Sequence, residues 1–413
     1  MDILSIINKK SLNKPLTKQE IEFFVNGYLS NEITDYQASA LLMAIKINGM
    51  ADSETFALTS AILNSGEIVD LSGLGFCVDK HSTGGVSDTT TIALAPICAC
   101  CGVNMLKLSG RSLGFTGGTI DKLESFDGYN VEISIEKAKE LVAKNGACVI
   151  SASQNLAPAD KKLYALRNAT STVESIPLIA SSIMSKKLAS GASGIVLDIK
   201  YGNGAFMKTK QDAKKLAELM VKIGKKFGKK MDYVLGNMDE PLGYNIGNKL
   251  EAYEAIEVLS GRAGKLRDET INLASKCISM GLNITQKDTK KMAEETIASG
   301  AALEKFKTMV KAQGGSIKLF GGLKLKPKLS IKAQCSGTLT KINCSHLGEL
   351  VSLMGSNRQK IDGEINYDIG IKTFHKIGDP INVGDTLFEV YSNNKKQALS
   401  MAEEFVKCYT ITQ

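Results

Sequence analysis

Residues 107–124 read K-L-S-G-R-S-L-G-F-T-G-G-T-I-D-K-L-E. The stretch begins inside a short apolar run at 105–109, which has the composition of a β-strand, and ends in a helix-type sequence that starts at Thr119. A strand followed by a glycine-rich turn and a helix is typical of an α/β domain. The glycines allow the backbone to turn tightly and to come close to a ligand. This stretch therefore predicts an α/β domain that binds a ligand at the end of a strand.

Residues 80–91, K-H-S-T-G-G-V-S-D-T-T-T, show the same arrangement earlier in the chain. A helix start offers backbone N–H groups and a positive potential, and hydroxyl groups and basic side chains outnumber carboxylates in both stretches. Two such turns after strands of one parallel sheet would meet at its carboxyl edge. We therefore expect a site for phosphate or a similar oxyanion, although turns that only connect strands to helices would have a similar sequence. Neither stretch has the spacing of a dinucleotide-binding fingerprint or a P-loop.

Composition is typical of a soluble globular protein. Of 413 residues, 43% are hydrophobic and 23% are charged, and this length corresponds to two or three domains. The longest apolar runs are far shorter than the ~20 residues that a membrane-spanning helix needs, and the N-terminus has no secretory-signal pattern. Nine cysteines, an odd number without a signal, favour reduced thiols and a cytoplasmic location. We expect no membrane association.

The net charge of +8 comes from lysine, because only five residues are arginine. The lysines are spread beside acidic residues, tryptophan is absent, and no basic block is interleaved with Phe or Tyr. Nucleic-acid-binding proteins usually cluster their basic residues and often add stacking aromatic side chains. The pattern therefore favours a small anionic ligand and indicates that the protein does not bind nucleic acid.

The sequence changes character along the chain. Residues 1–66 have helix-type patterns, including a capping box at Thr17-Lys18-Gln19-Glu20. Short β-type segments then alternate with helices, and a helical insertion interrupts them. We predict an α/β fold plus a small all-α domain, with a mixed or parallel sheet flanked by helices and a C-terminal α+β domain. The predicted domains are 1–66 with 153–190 (all-α), 70–152 with 191–325 (α/β) and 326–413 (β-rich α+β).

Both glycine-rich stretches closely resemble the thymidine and pyrimidine-nucleoside phosphorylases. The run S-G-R-x-L-x-x-T-G-G-T-x-D-x-L-E is that family's signature, and residues 109–124 match it without a gap. Further similar segments are residues 163–167, 175–187, 204–207 and 241–244. The resemblance implies phosphorolysis of pyrimidine nucleosides (uridine, thymidine and deoxyuridine), which gives free base and (deoxy)ribose 1-phosphate in pyrimidine salvage. It also implies that phosphate is a co-substrate and that no organic cofactor is needed.

The resemblance assigns residues to this reaction. Phosphate would be bound by Lys80, Ser82, Thr91, Lys107, Ser109 and Thr119. The pyrimidine would be bound by Arg167, Ser182 and Lys186, with His81 beside the base. Positive charge on Arg167 and Lys186 would stabilise the negative charge that develops on the leaving base, and His81 would donate a hydrogen bond or a proton to it. We therefore expect His81, Arg167 and Lys186 to be catalytic.

Local sequence alone gives a different interpretation of Arg167 and leaves a choice between Lys186 and Lys187. Without the resemblance, Arg167 would be interpreted as a charge on a helix surface. Lys186 and Lys187 are adjacent on a predicted helix, so their side chains point in different directions. At most one of them can face the site, and the family pattern selects Lys186.

The family also holds a monovalent cation, typically potassium. The positions that correspond to its ligands are Ser87, Thr89, Leu242, Asn245 and Glu254. Ser87 stands where glycine is common, and Asn245 stands where alanine is common. A backbone carbonyl ligand survives a change of side chain if the torsion angles are kept, so Ser87 is the critical position if φ there must be positive.

Two other functions stay open at this stage. A phosphoribosyltransferase of similar fold would need a carboxylate-rich magnesium site, which the two stretches lack. A non-catalytic nucleoside- or phosphate-binding protein would be favoured by loss of His81, Arg167 or Lys186, and all three are present. The resemblance further implies a homodimer formed through the all-α domain, and closure between domains that assembles the site.

Overall fold

The computed structural model of this chain describes residues 1–112, 114–153, 155–358 and 363–412. Leu113 of the signature run lies outside these residues. The chain divides into two compact units. The first consists of Met1–His81, Ala152–Leu197 and Gln211–Tyr233, and the second consists of Ser82–Ser151, Asp198–Lys210 and Val234–Gln413. The division into three domains that the sequence predicts stays a prediction.

Helices and strands alternate as the sequence predicts. The helices assigned in the described residues are α1 (Ile3–Ser11), α2 (Lys18–Leu29), α3 (Asp35–Asn48), α4 (Asp52–Leu63), α5 (Thr90–Cys100), α6 (Thr119–Leu123), α7 (Ile135–Asn145), α8 (Pro158–Ala169), α9 (Ile176–Ala189), α10 (Lys210–Lys226), α11 (Asn248–Leu259), α12 (Lys265–Leu282), α13 (Gln286–Ala298), α14 (Ala301–Ala312), α15 (Cys344–Val351), α16 (Lys395–Ser400) and α17 (Ala402–Lys407). The strands are β1 (Val78–Ser82), β2 (Met105–Ser109), β3 (Ala147–Ser151), β4 (Gly194–Tyr201), β5 (Lys230–Asn237), β6 (Asn245–Ile246), β7 (Leu329–Lys332), β8 (Gly337–Ile342), β9 (Gly370–Thr373), β10 (Pro380–Ile381), β11 (Thr386–Tyr391) and β12 (Tyr409–Thr412).

The first unit is built around a helical core. The Thr17 hydroxyl accepts a hydrogen bond from the Glu20 N–H at 3.3 Å, and the Glu20 carboxylate accepts one from the Thr17 N–H at 2.6 Å. The predicted capping box is therefore confirmed. Apolar faces of α1 to α4 pack into one cluster with those of α8 and α9. A buried ion pair lies among these helices, where Lys10 Nζ is 2.8 Å from Glu54 Oε1.

The glycine-rich stretches follow β1 and β2. β2 pairs in parallel with β3, from Met105 opposite Ala147 to Ser109 opposite Ser151. β1 belongs to a different ladder, ordered β1-β4-β5, and the boundaries between the two units fall within these three strands. The expectation that both stretches follow strands of one sheet does not hold for the described residues, because β2 pairs with β3 and β1 lies in the separate ladder β1-β4-β5.

The C-terminal part of the second unit is β-rich, and the predicted fold class is confirmed. It contains a four-stranded sheet ordered β6-β9-β11-β7 and a three-stranded sheet ordered β10-β8-β12. Buried apolar residues of both sheets and of α15 form one cluster around Leu339 and Phe388. β6 comes from the middle of the chain and pairs antiparallel with β9. This pairing fixes the segment 241–246, which carries two of the candidate cation ligands.

Candidate active site

A carboxylate closes the first glycine-rich stretch. Asp88 accepts hydrogen bonds from the Ser82 hydroxyl at 2.5 Å and from the Thr90 hydroxyl and N–H at 2.6 and 3.2 Å. The Ser82 oxygen in turn accepts a hydrogen bond from the N–H of Gly84, which has a φ of 89°. The Ser82 hydroxyl is therefore engaged within its own loop. The hydroxyl donors of this loop are evident from the sequence, but the role of Asp88 is not.

A buried lysine lies beside this loop. Lys200, at the end of β4, has its Nζ 2.7 Å from Asp198 Oδ1 and 3.0 Å from Glu269 Oε1. Its backbone N–H donates to the Thr83 hydroxyl at 2.8 Å. Burial acts to lower the pKa of Lys200, but the carboxylates of Asp198, Asp88 and Glu269 outweigh it and hold that pKa above its usual range. No motif points to Lys200, because within a strand pattern it resembles an ordinary surface position.

The charged residues of the family signature pair with one another. Arg111 donates to both oxygens of Glu124, at 2.6 and 2.8 Å, and to Asp121 Oδ1 at 3.0 Å. Asp121 also accepts a hydrogen bond from the Ser112 N–H at 2.6 Å. A Cβ atom on Gly118 would lie 2.3 Å from the Ser112 nitrogen, so only glycine allows this close turn. The Arg111 guanidinium is therefore occupied within its own loop.

The candidate phosphate-binding residues lie in two strands and in the first turns of two helices. Lys80 and Lys107 are buried in β1 and β2, and Lys107 Nζ donates to the Leu108 carbonyl at 3.2 Å. Ser82 and Ser109 end those two strands, whereas Thr91 and Thr119 lie in the first turns of α5 and α6. All except Lys80 belong to the second unit. Their phosphate-binding roles stay predictions.

Lys186 and Lys187, adjacent on α9, have different partners, as the helix geometry predicts. Lys186 Nζ is 2.6 Å from Asp160 Oδ2 and 3.4 Å from the Ser182 hydroxyl. Its side chain is 42% exposed, whereas that of Asp160 is only 4% exposed. Lys187 is buried, with its Nζ 2.9 Å from Asp79 Oδ2. Lys186 therefore has an ammonium group that is held by the buried Asp160 carboxylate and is accessible to a ligand.

Arg167 is buried and is not a surface charge. Its guanidinium donates to the backbone carbonyls of Val173 at 2.8 Å, Leu178 at 3.1 Å and Thr172 at 3.4 Å. Burial lowers the pKa of Arg167, and the Asp160 carboxylate acts against that shift. These contacts fix the plane of the guanidinium near the same carboxylate that holds Lys186.

Two further residues lie in the first unit with Arg167 and Lys186. His81, half-buried near the end of β1, is the last residue of the first segment of the first unit. Asp160 was missed by sequence analysis because a carboxylate in the first turn of a helix is usually explained by the helix dipole. The role of Asp160 could be predicted only if its partner Lys186, which is distant in sequence, were already known.

The candidate cation ligands lie in the second unit and are buried. The Glu254 carboxylate accepts hydrogen bonds from the N–H groups of Tyr244 at 2.7 Å and Asn245 at 3.1 Å. The Asn245 side-chain oxygen is buried and has no hydrogen-bond partner among the described residues. The set offers only oxygen donors, one carboxylate and one unsatisfied amide oxygen, which suit a hard cation such as potassium. The residues present therefore fit such an ion.

Ser87 has the positive φ that its position, where glycine is common, was expected to require. Its φ is 62°, in the left-handed region that favours glycine. Its hydroxyl accepts a hydrogen bond from the Gly243 N–H at 3.1 Å, so the side chain has a structural use that glycine lacks. The backbone torsion expected where glycine is common is kept in this chain.

Lys376 is a cationic side chain that binds the segment 241–246. Lys376 Nζ donates to the backbone carbonyls of Pro241 at 2.5 Å and Gly243 at 2.6 Å. Burial raises the pKa of Glu254 and lowers the pKa of Lys376, while each of the two groups acts against the shift of the other. Lys376 thus binds the carbonyls on either side of Leu242, a contact that no local sequence pattern indicates.

Three family models match the chain. The helical bundle domain of a glycosyl transferase family matches residues 4–66, and the a/b domain of that family matches residues 74–303. The C-terminal domain of pyrimidine nucleoside phosphorylases matches residues 338–412. Fold and site together define a glycosyltransferase with a helical bundle, an α/β part and a C-terminal part.

Curated proteins match over nearly the whole chain. The pyrimidine-nucleoside phosphorylase of Staphylococcus haemolyticus is 48% identical over 402 residues, which are 96% of this chain and 93% of that protein. Those of Staphylococcus epidermidis and Staphylococcus aureus are 47% and 46% identical with the same coverage. The chain therefore belongs to the pyrimidine-nucleoside phosphorylase family and is a pentosyltransferase.

A solved structure shows the same fold at low identity. The anthranilate phosphoribosyltransferase of Thermus thermophilus matches with a TM-score of 0.59 and 18% identity, covering 76% of this chain and 99% of that one. This similarity concerns the fold alone. Within the described residues, none of the helices is both long and apolar enough to pass through a membrane.

Proposed function

We propose that this enzyme catalyses the reversible phosphorolysis of pyrimidine nucleosides to free base and (deoxy)ribose 1-phosphate, as part of pyrimidine salvage. Uridine, thymidine and deoxyuridine are the proposed substrates, and phosphate is the co-substrate. The observation that carries the proposal is Lys186, an exposed ammonium group anchored on the buried Asp160 carboxylate. The family membership established by relatives of up to 48% identity supports it.

On the base side, the proposed chemistry needs groups that stabilise negative charge. A phosphate oxygen attacks C1′ while the bond from C1′ to the base nitrogen breaks, and the electron pair of that bond moves onto the base. Arg167 and Lys186 stabilise the resulting charge, since preorganised cations act most strongly where charge develops. Ser182 hydrogen-bonds the pyrimidine, and His81 donates a hydrogen bond or a proton to it.

On the phosphate side, the proposed ligands are hydroxyl groups and lysines. The set is Lys80, Ser82, Thr91, Lys107, Ser109 and Thr119. Lys80 and Lys107 lie within β1 and β2, Ser82 and Ser109 end these strands, and Thr91 and Thr119 lie in the first turns of α5 and α6. Backbone N–H groups at a helix start also favour an anion. The bound phosphate supplies the nucleophile and stabilises the positive charge that builds on the sugar.

We further propose that Ser87, Thr89, Leu242, Asn245 and Glu254 hold a potassium ion. When bound, the ion supplies a fixed positive charge that ties the first glycine-rich stretch to the segment 241–246. Dialysis from potassium into tetramethylammonium chloride at equal ionic strength is expected to lower the melting temperature and the rate. An unchanged melting temperature and rate would contradict the cation site.

The proposed assembly is a homodimer formed through the helices of the first unit. Tyr36, Met43 and Ile47 of α3 are exposed apolar side chains, and their spacing places them on one face of the helix. An Ile47→Asp variant is expected to shift the mass measured by light scattering from dimer to monomer. We also propose a cytoplasmic location, because all nine cysteines are free thiols, which suits a reducing compartment.

The test of the reaction is an assay of base release. Uridine, thymidine and deoxyuridine are each incubated with the protein, with and without phosphate, and free base and sugar 1-phosphate are quantified by chromatography. We expect release only with phosphate. Release without phosphate would indicate a hydrolase, conversion only with 5-phosphoribosyl diphosphate would indicate a phosphoribosyltransferase, and binding without release would indicate a sensor.

A further inference from the structure

The proposed reaction assigns no role to Lys122, one of the buried lysines of the second unit. Lys122 lies on α6 in the second glycine-rich stretch, and its side chain is 1% exposed. Its Nζ is 2.6 Å from Glu251 Oε2, on a side chain that is 2% exposed, and it donates to the backbone carbonyl of Asp88 at 2.8 Å. A buried ammonium group needs such partners, because taking it out of water is costly. Lys122 therefore joins its own helix to the first glycine-rich stretch and to α11.

Glu251 extends this connection in two directions. Its Oε2 accepts a hydrogen bond from the Thr89 hydroxyl at 3.2 Å, and its Oε1 accepts one from the Gly247 N–H at 3.2 Å. The turn of the second stretch also lies directly on the pair, because a Cβ atom on Gly117 would be 3.1 Å from Lys122 Cε and 3.6 Å from Glu251 Oε1. Both glycine-rich stretches thus contact the same ion pair.

The contacts of this pair lead to candidate phosphate ligands on both sides. The backbone carbonyl of Asp88 accepts a hydrogen bond from Lys122 Nζ, and its carboxylate accepts one from the Ser82 hydroxyl. Thr89 bonds Glu251 immediately before the first turn of α5, which contains Thr91. Thr119 begins the short helix α6 on which Lys122 itself lies. A change at the ion pair would therefore displace ligands in both stretches at once.

We propose that Lys122, acting through Glu251 and the Asp88 carbonyl, is a positioning residue that sets the distance between the two phosphate-binding stretches. The proposal rests on the proposed function, since it assumes that these stretches bind phosphate. It assigns Lys122 no contact with the substrate. Its loss should weaken phosphate binding specifically and should leave the base side unchanged.

The pair formed by Lys122 and Glu251 has a matched control in the first unit. Lys10 and Glu54 form another buried ion pair, with a separation of 2.8 Å and each side chain 2% exposed. Replacing both members of a buried pair by neutral residues is far better tolerated than removing one. The test variant is therefore Lys122→Met with Glu251→Gln, and the control is Lys10→Met with Glu54→Gln. Lys122→Arg, which keeps charge and donors, serves as the conservative variant.

Steady-state phosphorolysis of uridine gives the KM for phosphate and the KM for uridine. For the test variant we expect the phosphate KM to rise about tenfold or more, because small misplacements of binding groups have large effects, with the uridine KM within about twofold of wild type. The control should leave both KM values within about twofold, and Lys122→Arg should recover part of the phosphate affinity. An unchanged phosphate KM in the test variant, or an equal rise in the control, would overturn the proposal.

A second measurement separates this inference from the proposed function. Inorganic phosphate should raise the melting temperature of the wild-type protein by binding the folded state, and it should do so less in the test variant at each phosphate concentration. If wild type is stabilised by phosphate but releases no base, the proposed reaction fails and the melting comparison still decides the role of Lys122. If phosphate stabilises neither protein and wild type releases no base, both proposals fail.

Discussion

Two lysine–carboxylate pairs of this protein have the same separation and very different surroundings. In the first unit, Lys186 Nζ is 2.6 Å from Asp160, and its side chain is 42% exposed. In the second unit, Lys122 Nζ is also 2.6 Å from Glu251, and both side chains are at most 2% exposed. The distance alone cannot distinguish them. Exposure does: Lys186 reaches solvent and can exchange water for a ligand, whereas Lys122 is enclosed by the loops that it joins.

The largest effect that we expect from this difference concerns stability. Lys122→Met leaves the Glu251 carboxylate buried without its partner, and the free energy of unfolding should fall by about 3–5 kcal/mol. Lys186→Met also leaves a buried carboxylate, that of Asp160, but water can replace the half-exposed ammonium group, so the loss should be smaller, about 1–2 kcal/mol. Equilibrium urea unfolding of the two variants beside wild type measures both changes. Equal losses would show that exposure does not separate the two pairs.

The next effect concerns catalysis. Lys186→Ala removes charge from the proposed position of the leaving base, and kcat should fall about 10²–10³-fold, the loss typical of a single electrostatic stabiliser. The control is Lys187→Ala on the same helix, which removes a partner of the buried Asp79 carboxylate. It should lower the melting temperature and leave kcat within about threefold of wild type. A Lys186→Ala enzyme with a near-normal kcat would remove this lysine from the reaction.

Asp160 offers a finer test, because it holds Lys186 without being exposed itself. Asp160→Asn keeps the shape and an acceptor oxygen but replaces a charge-assisted hydrogen bond by a weaker neutral one. We expect kcat/KM for uridine to fall about tenfold, which corresponds to about 1.4 kcal/mol, while the KM for phosphate stays unchanged. Kinetics with each substrate varied in turn measure both values. A rise confined to the phosphate KM would contradict the assignment of Asp160 to the base side.

Local sequence was sufficient for the elements and for the choice between neighbouring residues. Strand β2 coincides with the apolar run predicted at 105–109, because apolar runs bounded by glycine-rich turns are local signals. The different partners of Lys186 and Lys187 follow from helix geometry alone. The capping box of α2 was equally local, since its two residues are one helical turn apart.

Partners that are distant in sequence could not be predicted in this way. No local pattern connects Asp160 with Lys186, Lys122 with Glu251, or Lys376 with the carbonyls around Leu242. The same limit applies to the strands, because periodicity predicts that β1 and β2 exist but not which neighbour each one pairs with. Arg111 illustrates the consequence: the sequence shows only a basic side chain in a glycine-rich stretch, whereas the structure shows its guanidinium occupied by Glu124 and Asp121.

The smallest expected effect tests how rigidly the second unit holds the loop that contains Ser87. Ser87 keeps a φ of 62°, which costs a residue with a Cβ atom about 1 kcal/mol, and its hydroxyl accepts the Gly243 N–H. Ser87→Ala loses the acceptor and keeps the strain, whereas Ser87→Gly loses the acceptor and relieves the strain. Ser87→Gly should therefore be more stable than Ser87→Ala by about 1 kcal/mol in urea unfolding, and close to wild type, because the lost hydrogen bond and the relieved strain are of similar size. If the two variants unfold at the same urea concentration, the loop relaxes when its side chain is changed, and the second unit is less firmly held than its buried ion pair suggests.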